Sequence, residues 1–299
     1  MSFSSPYELL SSKPFIILDG AMGTELERRG FRTTLPLWSA MANVEAPMLV
    51  KQIHDEYIAG GADIITTNTF RTTSYTFSKV NKTSIASHVT RLAVELAREA
   101  VMQAGKDIVL AGSLAPLEDC YRPDLVPTDA VIREAYSEQI DLLIGTGVDF
   151  ILAETMINQP EIAFISKYMH QKGFPFMMSF TAQDGRLLDG TPLESVVPDV
   201  VKGNPLALLL NCRSCIEITK TLPALQKLFH GMLGAYGNGP GHADDEFGWK
   251  IKSGGVDEYL EAAKGWIEHG VLIIGGCCGT TPEFIKAING LLTSQSTSA

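Results

Sequence analysis

The sequence predicts a (β/α)8 TIM barrel, an α/β fold, on three observations. Short apolar runs recur eight times along 299 residues, each is followed by a stretch with helical periodicity, and the length is near the ~250 residues typical of that fold. The runs read FIILDG, DIITTNTF, IVLAGSLAP, FILAETM, PFMMSF, ALLLNC, MLGAYGN and LIIGGCC. Their apolar character is continuous rather than alternating, which is what strands buried on both faces of a parallel sheet require. A doubly wound open sheet is the alternative, but it does not call for eight strands. Nor does the chain carry a G-x-G-x-x-G after a strand, or a Walker loop.

The segments between the runs read as helices. Asn43 is a candidate cap for the helix carrying Leu49, Ile53 and Tyr57, and Ile132, Tyr136 and Ile140 stack at four-residue spacing. Pro160 and Pro282 stand where a first helical turn tolerates proline. The expectation is one domain over residues 1–299, with 291–299 a frayed tail ending in TSQSTSA.

Composition narrows the function classes. With 45% apolar and 19% charged residues the chain is globular, and at this length folding buries roughly three quarters of the unfolded surface, enough for a core without staples. Twenty-four basic residues against thirty-four acidic give a net charge of -10, with no Lys/Arg cluster to follow a phosphate backbone, so nucleic acid is not an expected partner. No apolar run approaches the roughly 20 residues of a membrane span, and the N-terminal residues lack a signal-peptide pattern. Five cysteines, an odd number, read as reduced thiols in a cytoplasmic protein.

A barrel carries its chemistry where its strands end. Those ends hold Asp19-Gly20, Thr66-Thr67-Asn68-Thr69, Glu154-Thr155, Asn211-Cys212 and Gly275-Gly276-Cys277-Cys278-Gly279. Two carboxylates can receive an ammonium group and adjacent amides a carboxylate, which suggests an amino acid as ligand; each carboxylate could equally cap a helix or pair with arginine. Cys277 and Cys278 can face one metal only if the chain turns there, and the neighbouring glycines supply that freedom. With Cys212 they would make three thiolates and one open position, the arrangement of catalytic rather than structural zinc. Three alternatives stay open: buried cysteines as small hydrophobes, Cys212-Arg-Ser-Cys215 as a redox pair, and Cys215 as a fourth ligand that closes the site. None of the six histidines falls at a strand end, although His242 lies in the loop after the seventh run.

Taken together, Asp19 to Leu26, Leu37-Trp38-Ser39-Ala40, Thr66 to Phe70, Ser179-Phe180, Asp189 to Leu193, Asn211-Cys212 and Gly275 to Thr280 resemble the homocysteine S-methyltransferase family. The likeness runs from about residue 15 to about residue 288, and the GGCC after the last strand is its most specific part. The resemblance implies a zinc-dependent barrel with Cys212, Cys277 and Cys278 as metal ligands. It further implies that Asp19 and Glu154 hold the amino group of homocysteine, and that Gly20, Thr67 and Asn68 lie near its carboxylate. The implied reaction is methyl transfer to the homocysteine thiol, forming methionine, with S-methylmethionine the first donor, S-adenosylmethionine the second and betaine the third, and selenohomocysteine a further acceptor. Trp38, Tyr121 and Trp249 could face a cationic donor.

The chain departs from many relatives at Leu209-Leu210, at Tyr236-Gly237-Asn238-Gly239 and across Pro116 to Pro123, changes at the mouth that bear on the donor. Cys120 and Cys215 receive no role. A zinc hydrolase and a non-enzymatic thiol sensor are the competing classes; the thiolate-rich set argues against the first.

Overall fold

A computed structural model describes residues 5–244, 248–252 and 254–296. The eight apolar runs form eight parallel strands: β1 (Ile16–Ile17), β2 (Ile64–Thr66), β3 (Val109–Leu114), β4 (Phe150–Met156), β5 (Phe176–Phe180), β6 (Ala207–Ser214), β7 (Met232–Asn238) and β8 (Val271–Ile274). Each pairs with its sequence neighbour, and β8 pairs back onto β1. The β1/β2 seam is closed by Asp63 N donating to Ile17 O (2.7 Å) and Asp19 N to Ile64 O (3.1 Å). The sheet is a closed barrel and the doubly wound alternative falls away.

One long helix follows each strand: α1 (Pro47–Gly60), α2 (Thr83–Ala104), α3 (Asp129–Gly145), α4 (Gln159–Lys172), α5 (Leu193–Lys202), α6 (Cys215–Leu228), α7 (Val256–Glu268) and α8 (Pro282–Ser296), with short helices Gly23–Arg28 and Ala42–Glu45 ahead of α1 and Ser74–Ser78 ahead of α2. Their ends follow local chemistry. At α4, Asn158 accepts from Glu161 N at 3.0 Å, Pro160 lies in the first turn and Gly173 ends the helix at φ 61. A reciprocal Ser214/Glu217 box starts α6.

Two expectations are corrected. Asn43 is not the cap of α1, which begins at Ala46-Pro47; its side chain is spent on Asn68, whose backbone oxygen it meets at 3.0 Å. Residues 291–296 are the last turns of α8, not a frayed tail, because Leu292 is buried in the core; 297–299 lie outside the described residues.

The continuous apolar runs resolve into two alternating sets. Ile64, Val109, Phe150, Met177 and Leu209 point into the barrel, while Ile65, Leu110, Ile151, Met178 and Leu208 point out to the helices. Full burial of such side chains is worth about 1.5–3 kcal/mol each. A short helix, Pro6–Ser12, inserts Leu9 among the residues at the strand starts, so it plugs the barrel's lower end. Two small hairpins, Ala182–Gln183 with Arg186–Leu187 and Gly241–Asp244 with Gly248–Ile251, extend the loops after β5 and β7. No described helix is long and apolar enough to cross a membrane.

Candidate active site

The upper end of the barrel opens into a cavity of about 230 Å³. Asp19, Gly20, Thr67, Asn68, Glu154, Cys212, Cys277 and Cys278 all line it, so the strand-end residues singled out by sequence share one wall. Trp38 and Tyr121 line it too. Trp249 does not: it packs against Gly241 and Gly279 and borders a separate cleft behind Cys212, so it leaves the expected donor wall. His242 is exposed on its hairpin and is not part of the lining.

The ligand atoms of Cys212, Cys277 and Cys278 lie within 4.8 Å of one another, the one such metal-competent group among the described residues. Three thiolates around a tetrahedral zinc at about 2.3 Å each would be about 3.8 Å apart, so this donor set fits the ion with small side-chain adjustments. β8 ends at Ile274, and Cys277 and Cys278 sit in the turn beyond it, where Thr280 N bonds to Cys277 O at 3.1 Å. The glycines serve two different needs there. Gly279 takes φ 79, while a Cβ on Gly275 would stand 2.7 Å from Leu18 Cβ and one on Gly276 would stand 2.3 Å from Thr280 Oγ1. Gly276 N donates to Asp19 O at 2.9 Å, tying this turn to the end of β1.

Cys212 reaches the group from a left-handed backbone (φ 57), and Thr155 at the end of β4 has φ 60. Such conformations cost non-glycine residues about 1–3 kcal/mol and need surrounding bonds to hold them. Asn211 provides those bonds. Its Oδ1 accepts from Thr155 N (3.1 Å) and Ser179 Oγ (2.8 Å), and its Nδ2 donates to Thr155 Oγ1 (2.9 Å), clamping the ends of β4, β5 and β6.

Within the thiol group, hydrogen bonds from Cys212 and then Cys278 pull Cys277 down to about 5, while Cys212 and Cys278 are held well up by sharing with their neighbours. The Tyr121 hydroxyl stands 3.2 Å from Cys212 Sγ; burial raises its pKa, so it stays protonated. Cys215 lies apart, its Sγ 3.9 Å from Asn238 O, and is not a fourth member.

The carboxylates are positioned by neighbours to which sequence reading gave no such role. Asp19 is fixed by Thr66 N (2.8 Å) and Thr66 Oγ1 (3.0 Å). Glu154 accepts from Ser113 Oγ and from Tyr236 OH at 3.4 Å. Burial lifts Asp19 well above the usual carboxylate range despite the Thr66 bonds, and lifts Glu154 to about 7. Two acids with no cation between them form a site that a positive ligand would discharge. Asn68 is fully engaged, with Nδ2 on Ser39 O (3.0 Å) and Asn43 Oδ1 (2.9 Å) and Oδ1 on Ser39 Oγ (2.7 Å); Thr67 Oγ1 receives Ser113 N at 3.2 Å. The signal for Thr66 and Ser113 was their place at strand ends; nothing in the sequence paired them with a particular carboxylate.

Comparison with known proteins agrees with this geometry. The family described as Homocysteine S-methyltransferase matches residues 16–292. The homocysteine S-methyltransferase of Escherichia coli (strain K12) is 32% identical over 312 residues, covering 96% of this chain and 99% of that protein. Homocysteine S-methyltransferase YbgG of Bacillus subtilis (strain 168) is 31% identical, with 94% and 95% covered. The selenocysteine methyltransferase of Astragalus bisulcatus is 28% identical, with 93% and 92% covered. Among solved structures, the metallated form of the homocysteine methyltransferase MmuM from Escherichia coli superposes with a TM-score of 0.80 at 30% identity, covering 94% of this chain and 98% of that one. With a family match over nearly the whole barrel, this chain belongs to the homocysteine S-methyltransferase family and is a methyltransferase.

Proposed function

We propose that the chain, one barrel domain, moves a methyl group from a sulfonium donor to the thiol of L-homocysteine, with S-methylmethionine the first donor and S-adenosylmethionine the second. The observation that carries this reading is the meeting of three thiols, the buried Asp19 and the half-buried Glu154 on one cavity wall. Cys212, Cys277 and Cys278 would hold zinc, which when bound supplies a Lewis acid that keeps a substrate thiol, ordinarily of pKa about 8.5, in its nucleophilic form.

Asp19 and Glu154 receive the ammonium group of homocysteine, and its charge draws both acids back to their ionised forms. Gly20 and Thr67 border its carboxylate, and Asn68 holds the Ser39 loop against them. Trp38, Tyr121 and Phe70 face the donor; Phe70 meets Trp38 edge-on at 5.7 Å. In the transfer, the new carbon–sulfur bond forms on homocysteine as the old one breaks. The electron pair returns to the donor sulfur, which leaves as a neutral thioether. No general acid is needed, which suits a mouth without histidine, and the chain's contribution is orientation. Both ligands are small soluble metabolites, in keeping with a cytoplasmic enzyme.

A donor panel with homocysteine, following methionine, tests the assignment. S-methylmethionine is expected to give the highest kcat/KM, with S-adenosylmethionine, betaine and a selenohomocysteine acceptor as further arms. No methionine from any sulfonium or betaine donor on the zinc-loaded protein would defeat the reading.

A further inference from the structure

The lining of the cavity extends past the residues assigned to homocysteine and the thiols, to Trp38, Phe70, Arg71, Asp119 and Cys120. Beyond Asp19, Glu154 and the thiols, its lining includes one strongly buried cation. Arg71, at 6% exposure, lies in the loop after β2 with its guanidinium 5.1 Å from the centre of the Phe70 ring. Its Nη1 is spent on two carbonyls, Pro116 O (3.0 Å) and Glu118 O (2.7 Å). Nε is enclosed without an acceptor, Nη2 has none either, and among the described residues no carboxylate forms an ion pair with this side chain. The nearest acid by sequence, Glu118, is occupied by Tyr75 and Lys79. The buried Glu161 acts on Arg71 through space but forms no direct ion pair with it, so the enclosed Nε still lacks an acceptor, and the planar fork fits a carboxylate.

An acid of the same wall lies close by. Asp119 lines the cavity and its Oδ1 accepts from Tyr121 N at 2.8 Å, and among the described residues Oδ2 has no hydrogen-bond partner. Burial and then Cys212 push the Cys120 thiol up, Arg71 pulls it down and Asp119 adds to the rise, so both side chains act on this one thiol of the lining. Beside the aromatic pair the cavity therefore offers Arg71 and Asp119, residues distinct from those that meet homocysteine, while the other cation of the lining, Arg122, is paired with Asp124.

We propose that Arg71 and Asp119 form a second amino-acid head-group site in the cavity, Arg71 taking the carboxylate of the methyl donor and Asp119 its ammonium group. The inference rests on the methyl-transfer reading above and deepens it: the donor class becomes a sulfonium that carries a free α-amino-acid head, in preference to a simple methylated cation. Charge-assisted contacts of this kind give discrimination of about 10- to 100-fold when one partner is removed.

The test compares S-methylmethionine, which has the head group, with trimethylsulfonium, which lacks it, on zinc-loaded wild type, Arg71→Met, Arg71→Lys and Asp119→Asn. Calorimetry is expected to show S-methylmethionine binding weakened about 30-fold in Arg71→Met, less in Arg71→Lys and about 10-fold in Asp119→Asn. Homocysteine binding should stay within about 2-fold, which also reports that each variant is folded. The ratio of kcat/KM for S-methylmethionine to that for trimethylsulfonium should fall in parallel, chiefly through KM. An unchanged ratio and unchanged S-methylmethionine affinity would overturn the proposal and leave Arg71 as a brace for the 116–118 carbonyls. So would a loss of homocysteine affinity in place of the donor's. If neither sulfonium methylates homocysteine in wild type, the assigned reaction falls, while the binding comparison still decides the role of Arg71.

Discussion

At the lower end of the barrel Leu9, Ile16, Val109, Phe150 and Ala207 pack side chain against side chain, and the one acid at the seam, Asp63, is met by Ile17 N at 3.0 Å and by Lys13. At the upper end the same strands finish in Asp19, Glu154, Asn211 and Cys212, with two residues in left-handed backbone and two acids that burial keeps from ionising readily. The lower half is closed by apolar packing. The upper half is satisfied only when something else arrives. A barrel divides its work in this way because side chains at the strand starts can close on one another, whereas those at the strand ends must leave room for ligands.

The sharpest way to break this contrast is at the metal group. Cys277→Ser is expected to reduce bound zinc from about one equivalent to near zero, measured by elemental analysis, and to lower kcat/KM by about 1000-fold or more, with little change in the unfolding midpoint of the metal-free protein. Phe150→Ala tests the opposite end. It should cost about 3–5 kcal/mol in urea unfolding while the folded fraction keeps near-normal kcat/KM, because Phe150 is wholly buried at the start of β4.

Glu154→Gln sharpens the comparison through pH. The folded protein holds this carboxyl at about 7, above its ordinary 4.5, so the protonated form is favoured by the fold and stability is lost as pH rises from about 4.5 through about 7. Glutamine has no such loss. Above pH 7 the metal-free variant should be the more stable by about 2 kcal/mol, allowing for water in the cavity, and at pH 4 the two should converge. Urea titrations at both pH values measure this, and an advantage that is equal at the two would show that charge is not its cause.

Much of this architecture is legible in the chain. The runs ending in Asp19, Glu154, Asn211-Cys212 and Cys277-Cys278 identify both the strands and the wall they share, because a parallel barrel places every strand end on one face. What periodicity cannot reveal is which polar group from one strand meets which from another. That Thr66 serves Asp19, that Ser113 and Tyr236 serve Glu154, and that Asn43 faces Asn68 instead of capping α1 all depend on register between distant segments. Trp249 misled for the same reason: its hairpin turns it onto Gly241 and Gly279. Arg71 was silent because an arginine after a strand looks like a solvated charge until its burial is known.

The bond from Gly276 N to Asp19 O joins the first strand to the turn after the last, so Asp19 and the Cys277-Cys278 turn become neighbours only where the ring of strands closes. That has a consequence in time. A chain still being synthesised exposes Asp19 early and Cys277 and Cys278 almost at the end, so neither the amino-acid site nor the thiol group can exist on a partial product. On the proposed zinc reading, loading is therefore an event of the finished barrel, and a truncated chain lacking the last strand and helix is expected to bind no zinc at this site.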